Sequence, residues 1–336
     1  MTVYFGGPDK APGMLRDLLQ DRVEGVPAGG EISMATYYFC DMELARALIR
    51  AQRRGVRLKL ILEGQPRTLA AGRQARHYLK ERIGDICGLH HRRLLGIGPK
   101  RHLHSKIYYF SHPAPHVLVG SFNPSGDPAM EPEIIDKIGD QDRGHNCLVM
   151  LSDPVLVETL RRHIGELWQK KGRYTGKKDI SSADGMTSAY IFPRFRPGIL
   201  ERDLSGCQSG DRVRLAISHL KQGPLARTLK KISGLGVDID LKVHDSGRRV
   251  PQPVIEDLKQ AGVTVNRIRH DLDYPMHAKF ILVEKQGRAS SYFGSCNFNP
   301  RSRWLNREIL FKSEDETLFE GFSQRWPEIG NSDNFS

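Results

Sequence analysis

Two short clusters of reactive side chains recur in this chain, once in each half, and that duplication constrains the fold more than any other feature. The first cluster is His104-Ser105-Lys106 followed by Gly120-Ser121-Phe122-Asn123; the second is His277-Ala278-Lys279 followed by Gly294-Ser295-Cys296-Asn297. His and Ser are 17 positions apart in the first copy and 18 in the second. Residues two apart on a strand point to the same face. Each His therefore projects with its Lys, and each Ser with its Asn. Brought together, the two sets offer two imidazoles, two ammonium groups and four short polar side chains. That inventory suits a phosphodiester: one imidazole attacks phosphorus, the other protonates the leaving oxygen, and the rest hold the phosphate oxygens.

The flanking segments repeat too. Val3–Pro8 finds an echo in Tyr190–Pro193. An apolar strand, Glu31–Phe39 or Arg212–Ser218, leads into a helix whose Leu44, Ala45, Leu48 and Ile49, or Leu225, Leu229 and Ile232, keep helical spacing. Gly55 and Gly236 mark the helix ends, and β-rich runs follow at Val56–Leu62 and Val237–Val243. Strand, helix, strand is a βαβ unit with parallel strands and a right-handed crossover. Second helices fall near 72–83 and 253–261, the His-x-Lys strands over Lys106–Phe110 and Lys279–Val283, closing strands over 146–151 and 308–311, and closing helices over 154–170 and 317–326. The expected fold class is α/β: two similar α/β/α lobes with mainly parallel sheets, a pseudo-twofold duplication with its active site at the lobe interface. The polar, basic stretch Lys170–Thr187 sets the expected boundaries: a first lobe over 1–175, a linker over 176–187 and a second lobe over 188–336.

With 336 residues, two domains are expected, and the net charge of +12 points to a polyanionic partner such as nucleic acid, an anionic membrane surface or a phosphate-bearing substrate. No apolar run approaches the ~18 residues of a membrane span. The N-terminal segment lacks a basic region followed by an apolar one. A cytoplasmic location is expected, with any lipid contact peripheral. The five cysteines, Cys40, Cys87, Cys147, Cys207 and Cys296, are odd in number and never form a C-x-x-C pair, as in a protein with reduced thiols. His90, His91, His102, His104, His112 and His116 crowd the first motif but match no common zinc spacing, so no metal and no cofactor are expected. Both motifs lie within one chain, so a monomer suffices.

H-x-K followed by G-S-x-N, twice in one chain, resembles the phospholipase D superfamily, and the likeness covers nearly the whole sequence. The run from His277 through Gly294–Ser302 to Asn306-Arg307-Glu308, with Ala35–Phe39 and Arg53–Val56, is similar to cardiolipin synthases and related phosphatidyltransferases. The resemblance implies a bilobal fold with one active site on the pseudo-twofold axis, catalysis without metal, and a covalent phosphohistidine, the first-motif His tending to be the nucleophile. Two departures stand out. Ser111 and Glu284 occupy the positions five after each motif Lys where the family usually has Asp. Glu308 supplies the family's downstream acid in the second half, whereas Leu148 aligns there in the first, leaving Asp140 or Asp142 as substitutes.

On these expectations Glu308 lies against His277, making it the general acid and His104 the nucleophile. Lys106 and Lys279 neutralise charge on phosphorus, Asn123 and Asn297 donate to its oxygens, and Ser121 and Ser295 support them as phosphate-binding groups. Arg301, Ser302 and Arg303 either bind a second phosphate or cap a turn. The basic run Arg92, Arg93, Lys100 and Arg101 is a solvated loop or an anion-facing rim; the acidic run Asp127, Glu131, Glu133, Asp136, Asp140 and Asp142 is a solvated loop or a lid. The leading function is a phospholipid-directed phosphodiesterase or phosphatidyltransferase. Second comes a metal-independent phosphodiesterase on nucleic acid, and third a binding protein with a dead site.

Overall fold

The duplicated motifs become duplicated sheets. A computed structural model describes residues 1–84, 87–90, 92–93, 100–125, 139–169 and 179–330, the side chains of 87–90, 92–93 and 100 excepted. The first lobe runs β1 (Thr2–Gly6), α1 (Met14–Glu24), β2 (Glu31–Thr36), α2 (Met42–Arg53), β3 (Arg57–Glu63), α3 (Arg73–Ile83), β4 (Cys87–His90), β5 (Arg92–Arg93), β6 (Lys100–Arg101), β7 (Ile107–Phe110), β8 (His116–Gly120), β9 (Asn146–Leu151) and α4 (Pro154–Gln169). The second runs β10 (Ile180–Ser181), β11 (Thr187–Ile191), α5 (Ile199–Leu204), β12 (Arg212–Ile217), α6 (Pro224–Ser233), β13 (Asp238–His244), α7 (Gln252–Gln260), β14 (Thr264–Ile268), β15 (Lys279–Lys285), β16 (Arg288–Gly294), α8 (Pro300–Trp304), β17 (Ile309–Ser313) and α9 (Glu316–Glu328). The main sheets are ordered β1-β9-β8-β7-β2-β3-β4 and β10-β11-β17-β16-β15-β12-β13-β14. From β1 and β11 onward the two orders correspond strand for strand.

The α/β two-lobe architecture agrees with the sequence reading; the expectation of mainly parallel sheets does not. Only β2-β3-β4 and β12-β13-β14 are parallel; the other pairings in the main sheets are antiparallel. Connection length is the cause. The βαβ stretches have room for a helical crossover, but β15 and β16 are joined by Gln286-Gly287, both at positive φ (51° and 75°), a two-residue hairpin turn. Within the expected linker, residues 176–178 lie outside the described residues. Farther on, Ile180–Ser181 pairs with β11, so the end of that stretch already belongs to the second sheet.

Three buried layers follow. The helices α1–α3 cover one face of the first sheet, around Leu19, Leu48 and Leu79. The helices α5–α7 cover one face of the second, around Leu204, Leu229 and Leu258. Between the sheets lies a shared apolar layer in which Val119 and Val149 of one lobe join Phe280, Phe293 and Phe311 of the other, with α4 and α9 contributing Leu160, Ile164, Phe322 and Trp326. Among the described residues no helix is long and apolar enough to cross a membrane.

Reciprocal backbone bonds stitch the lobes. His104 N donates to Arg307 O (2.9 Å) and Arg307 N to His102 O (2.8 Å); His145 N donates to Pro275 O (3.0 Å) and His277 N to His145 O (3.0 Å). In each case the segment before a His-x-Lys strand bonds to the residue just ahead of the other lobe's closing strand. Behind this seam sits Arg325, 2% exposed, whose guanidinium donates to Asp9 Oδ1 (2.7 Å), Glu328 Oε2 (2.7 Å) and His145 Nδ1 (3.1 Å).

Burial pushes the Asp9 carboxyl up, but the hydrogen bonds and charge of Arg325 override it and hold it at about 2, against an ordinary 3.8. A depressed acid stabilises the fold above its unfolded value and loses that contribution as pH falls through the folded one. Arg325→Ala is expected to lower the unfolding free energy by about 2–3 kcal/mol near neutrality, because Asp9 loses its main partner and keeps only the more exposed Lys10 at 3.3 Å. The gap from wild type should narrow between about pH 4 and pH 2. Urea titrations at several pH values check this; a gap that is small or does not change with pH would refute it.

Candidate active site

The seam delivers the reactive residues to one place. Each motif Lys folds back on its own strand: Lys106 Nζ donates to His104 O (2.6 Å) and Lys279 Nζ to His277 O (2.8 Å). Both lysines are buried. Each motif Ser sits one residue beyond a glycine at which the chains nearly touch. A Cβ on Gly120 would lie 2.1 Å from Cys147 O, and one on Gly294 would lie 2.3 Å from Ile309 O, so only glycine fits.

The histidine partners cross between lobes. His104 Nδ1 lies 2.8 Å from Glu308 Oε2. An ionised carboxylate only accepts, so the ring donates through Nδ1 and its Nε2 carries the free lone pair. Glu308 also accepts from Ser295 Oγ (2.7 Å) and Ser302 Oγ (2.6 Å). His277 Nδ1 lies 2.9 Å from Asn146 Oδ1, which also accepts from Ser121 Oγ (3.0 Å), while Asn146 Nδ2 donates to Gln141 O (2.9 Å). The oxygen thus faces the ring, and His277 too donates through Nδ1. Its Nε2 accepts from Lys279 Nζ (3.1 Å). The His104 ring keeps 12% of its surface open, enough for an incoming group to reach one edge.

Several expectations are corrected here. Glu308 partners His104, not His277. The residue matching Glu308 in the first half is Asn146, not Leu148: Gly120 pairs with Leu148 and Gly294 with Leu310, so Asn146 and Glu308 each stand two residues earlier. Neither Asp140 nor Asp142 substitutes. Asp140 Oδ1 accepts from the amides of Asp142 and Arg143, and Asp142 Oδ2 from Ser125 Oγ. Ser121 and Ser295 are fully buried behind the histidine partners and also accept from the amides of Cys147 (3.1 Å) and Ile309 (3.0 Å). Their hydroxyls donate to Asn146 and Glu308, so in this arrangement each is engaged in holding a histidine partner. Ser302 and Arg303 are structural as well, Ser302 on Glu308 and Arg303 in an ion pair with Glu201.

Asn123 and Asn297 are both buried. Asn123 Oδ1 accepts from Tyr38 N (3.3 Å), whereas Asn297 Oδ1 has no hydrogen-bond partner among the described residues. Of the crowded histidines, His102 stands 3.7 Å from Glu63, His112 bonds Ser111 Oγ and His116 stacks on Phe110; the side chains of His90 and His91 lie outside the described residues. So do the side chains of Arg92, Arg93 and Lys100, and residues Asp127, Glu131, Glu133 and Asp136 of the acidic run. The unusual positions Ser111 and Glu284 serve the sheets: Ser111 Oγ accepts from Glu31 N, and Glu284 pairs with Arg214.

Electrostatically the site is cation-rich. Burial, reinforced by Lys106 and Lys279, holds His104 down at about 4 despite Glu308. Burial, Lys279, Arg249 and Lys106 hold His277 well below its ordinary value. Lys106 is pushed down to about 7, chiefly by burial, and Lys279 well down by burial and Lys106. Burial opposes ionisation of Glu308, but His104, Lys106 and Ser302 outweigh it and lower its pKa. His104, Lys106, His277, Lys279 and Glu308 thus form one electrostatic unit in which Glu308 is the carboxylate facing two lysines and two imidazoles.

Sequence reasoning missed Asn146, Tyr37, His219 and Arg249. Tyr37 packs its ring 5.0 Å from that of His104. His219 and Arg249 share the hydroxyl of Ser218, at 3.0 and 3.2 Å. Strand register would have revealed Asn146. The others follow the carboxyl ends of parallel strands, where sheets of this kind gather ligands.

A duplicated α/β sandwich with paired histidines and lysines on its axis defines a class, and the chain belongs to the phospholipase D superfamily. The family described as cardiolipin synthase, phospholipase D-like domain, matches residues 27–168 and 200–328. Membership carries phosphodiesterase or transferase chemistry. No curated protein sequence matches the chain. The phosphatidylserine synthase of Haemophilus influenzae Rd KW20 superposes with a TM-score of 0.69 at 12% identity, covering 98% of this chain and 86% of that one. A polyphosphate kinase from Porphyromonas gingivalis gives 0.67 at 15% identity over 97% of this chain, which spans only 46% of the kinase. Nuc, a phospholipase D family member from Salmonella typhimurium, aligns with 51% of the chain at 22% identity, covering 96% of its own length, with a TM-score of 0.38. At these identities the likeness to solved structures is one of fold.

Near pH 8, about one unit above its depressed value, Lys106 is largely neutral, and a bound phosphate dianion favours its charged form. Inorganic phosphate is therefore expected to bind with net proton uptake, smaller in Lys106→Met. Calorimetry in two buffers of different ionisation heat measures it; binding without uptake would contradict the charge balance described.

Proposed function

We propose that the protein is a phospholipid-directed phosphodiesterase that hydrolyses or transfers a phosphatidyl group through a phosphohistidine on His104. The observation that carries this reading is the crossed pair of partners, a carboxylate on His104 and an amide on His277. A phosphorylated imidazole bearing its Nδ1 proton is cationic, and Glu308 at 2.8 Å is placed to stabilise that charge. A proton on His277 meets the neutral Asn146 and the charges of Lys279, Arg249 and Lys106, so it is readily given up.

In the first step His104 Nε2 attacks phosphorus, the phosphorus–oxygen bond to the leaving group breaks, and the leaving oxygen takes the proton from His277 Nε2. The anionic substrate brings the charge that lets His277 Nε2 take up that proton from solvent on binding. In the second step water or an alcohol loses its proton to His277, its oxygen attacks phosphorus, and the phosphorus–nitrogen bond breaks. Lys106 and Lys279 offset charge on the five-coordinate phosphorus, and Asn123 and Asn297 line its approach. No cofactor enters this scheme.

Support for a lipid substrate comes from the cardiolipin synthase description of the matched family and from the fold shared with a phosphatidylserine synthase. The net charge of +12 favours the second reading, a phosphodiesterase on nucleic acid.

Purified protein incubated with mixed phospholipids and ethanol, and separately with plasmid and single-stranded DNA, separates the two. A new phosphatidylethanol without nicking is expected. His104→Ala and His277→Ala should each lower turnover by roughly 10³-fold or more with the fold intact. Nicking lost in His104→Ala would move the assignment to nucleic acid, and full turnover in either variant would end the two-histidine scheme.

A further inference from the structure

The reaction centre accounts for Lys106 and Lys279. It leaves a second group of cations on the turns that follow β3 and β13, contributed by both lobes. In the second lobe the turn after β13 carries Arg248 and Arg249. It is a built feature: Arg249 N and Val250 N both bond Ser246 O, and Arg267 bridges its two ends by donating to Asp245 O (2.6 Å) and Val250 O (2.9 Å). Arg249 Nη1 donates to Ser218 Oγ at 3.2 Å, and Ser218 follows Ile217, the ladder partner of Lys279. The guanidinium therefore stands beside the second motif strand. Lys221 caps the turn from outside by donating to Arg248 O.

In the first lobe the turn after β3 carries Arg67. Its backbone amide donates to the Tyr37 hydroxyl (2.7 Å), and that tyrosine packs on the His104 ring. Arg67 thus occupies in its lobe the place that Arg248 holds in the other. The Arg67 charge is felt in the turn of the other lobe: burial and Arg67 lower the Arg248 pKa, and burial and Arg248 lower that of Arg249. Against these charges stand the Tyr38 phenol and Asp245, whose carboxylate lies 3.0 Å from His244 Nδ1. Among the described residues no ion pair engages Arg67, Arg248 or Arg249, while Arg303, Arg325 and Arg214 all have carboxylate partners. Arg67 and Arg248 are exposed and Arg249 is half-buried, so their charges are open to an anion arriving from solvent, which would relieve the repulsion among them.

We propose that Arg67, Arg248 and Arg249, with Lys221, form a second anion subsite that takes a further phosphate of the substrate while the scissile phosphodiester lies at His104 and His277. The preferred substrate then carries two phosphates, the second on the side of the cleft where β3 and β13 end. This rests on the phosphodiester reading of the histidine centre and adds to it. It also places the second-phosphate role, considered for Arg301 and Arg303 from sequence, on different residues.

Calorimetric titration of the full chain with inorganic phosphate and with pyrophosphate tests it. Pyrophosphate is expected to bind roughly tenfold or more tightly than phosphate, as two charge-assisted sites require. In R67A/R248A that preference should fall to near unity with phosphate affinity unchanged, and R67K/R248K should recover part of it. An undiminished preference in R67A/R248A, or none in the wild type, overturns the second subsite. No binding of either anion would instead overturn the histidine centre. Displacement of pyrophosphate by a short-chain phospholipid bearing a phosphomonoester on its headgroup, or by a 5′-phosphorylated dinucleotide, identifies the source; displacement by neither overturns the role in substrate binding.

Discussion

The reciprocal exchange of backbone hydrogen bonds across the lobe seam is the constraint from which the site follows. Because residues 102–104 pair with Arg307, and residues 275–277 with His145, the side chain next after each pairing residue is thrown onto the other lobe's histidine. Glu308 and Asn146 are those side chains. Neither lobe alone contains a complete histidine with its partner. The apolar layer shared by both sheets, with Phe280, Phe293 and Phe311 against Val119 and Val149, holds the seam in register.

Within that symmetric frame the chemistry is asymmetric. The same slot holds a carboxylate on one side and an amide on the other, each accepting from a motif serine whose hydroxyl in turn accepts from the backbone amide of the residue after the slot. A carboxylate lowers the free energy of a cationic ring, and an amide carbonyl orients the ring with far less electrostatic support. Burial first, and then the charges of Lys106 and Lys279, joined at His277 by Arg249, hold both rings below their ordinary values. On the proposed chemistry, substrate binding and protonation of the site are therefore coupled.

Much of this was legible in the sequence because the chain states it twice. The two H-x-K and G-S-x-N clusters, the helix stripes at Leu44 and Leu225 and the glycines that follow them located the elements, and the duplication predicted one site between two lobes. Strand direction was harder to read. Parallel pairing was inferred from the βαβ units and extended too far, although the short turn at Gln286-Gly287 already demanded a hairpin. The crossing of Glu308 to His104 was not legible, because nothing local in a chain says which of two related rings a distant carboxylate will meet. Asn146 escaped because the halves were aligned by residue type, and Asn and Glu differ in the very property that matters. Arg249 and Tyr37 escaped because they belong to turns after parallel strands, not to the repeated motifs.

The two unequal slots have a consequence for how such a protein can arise. A centre assembled from two identical subunits must carry the same residue in both positions, since one gene specifies each. Joining the two copies in a single polypeptide releases that restriction. Here it has been used: Glu308 and Asn146 occupy equivalent places yet give their histidines different partners, a carboxylate and an amide, an asymmetry closed to a symmetric dimer.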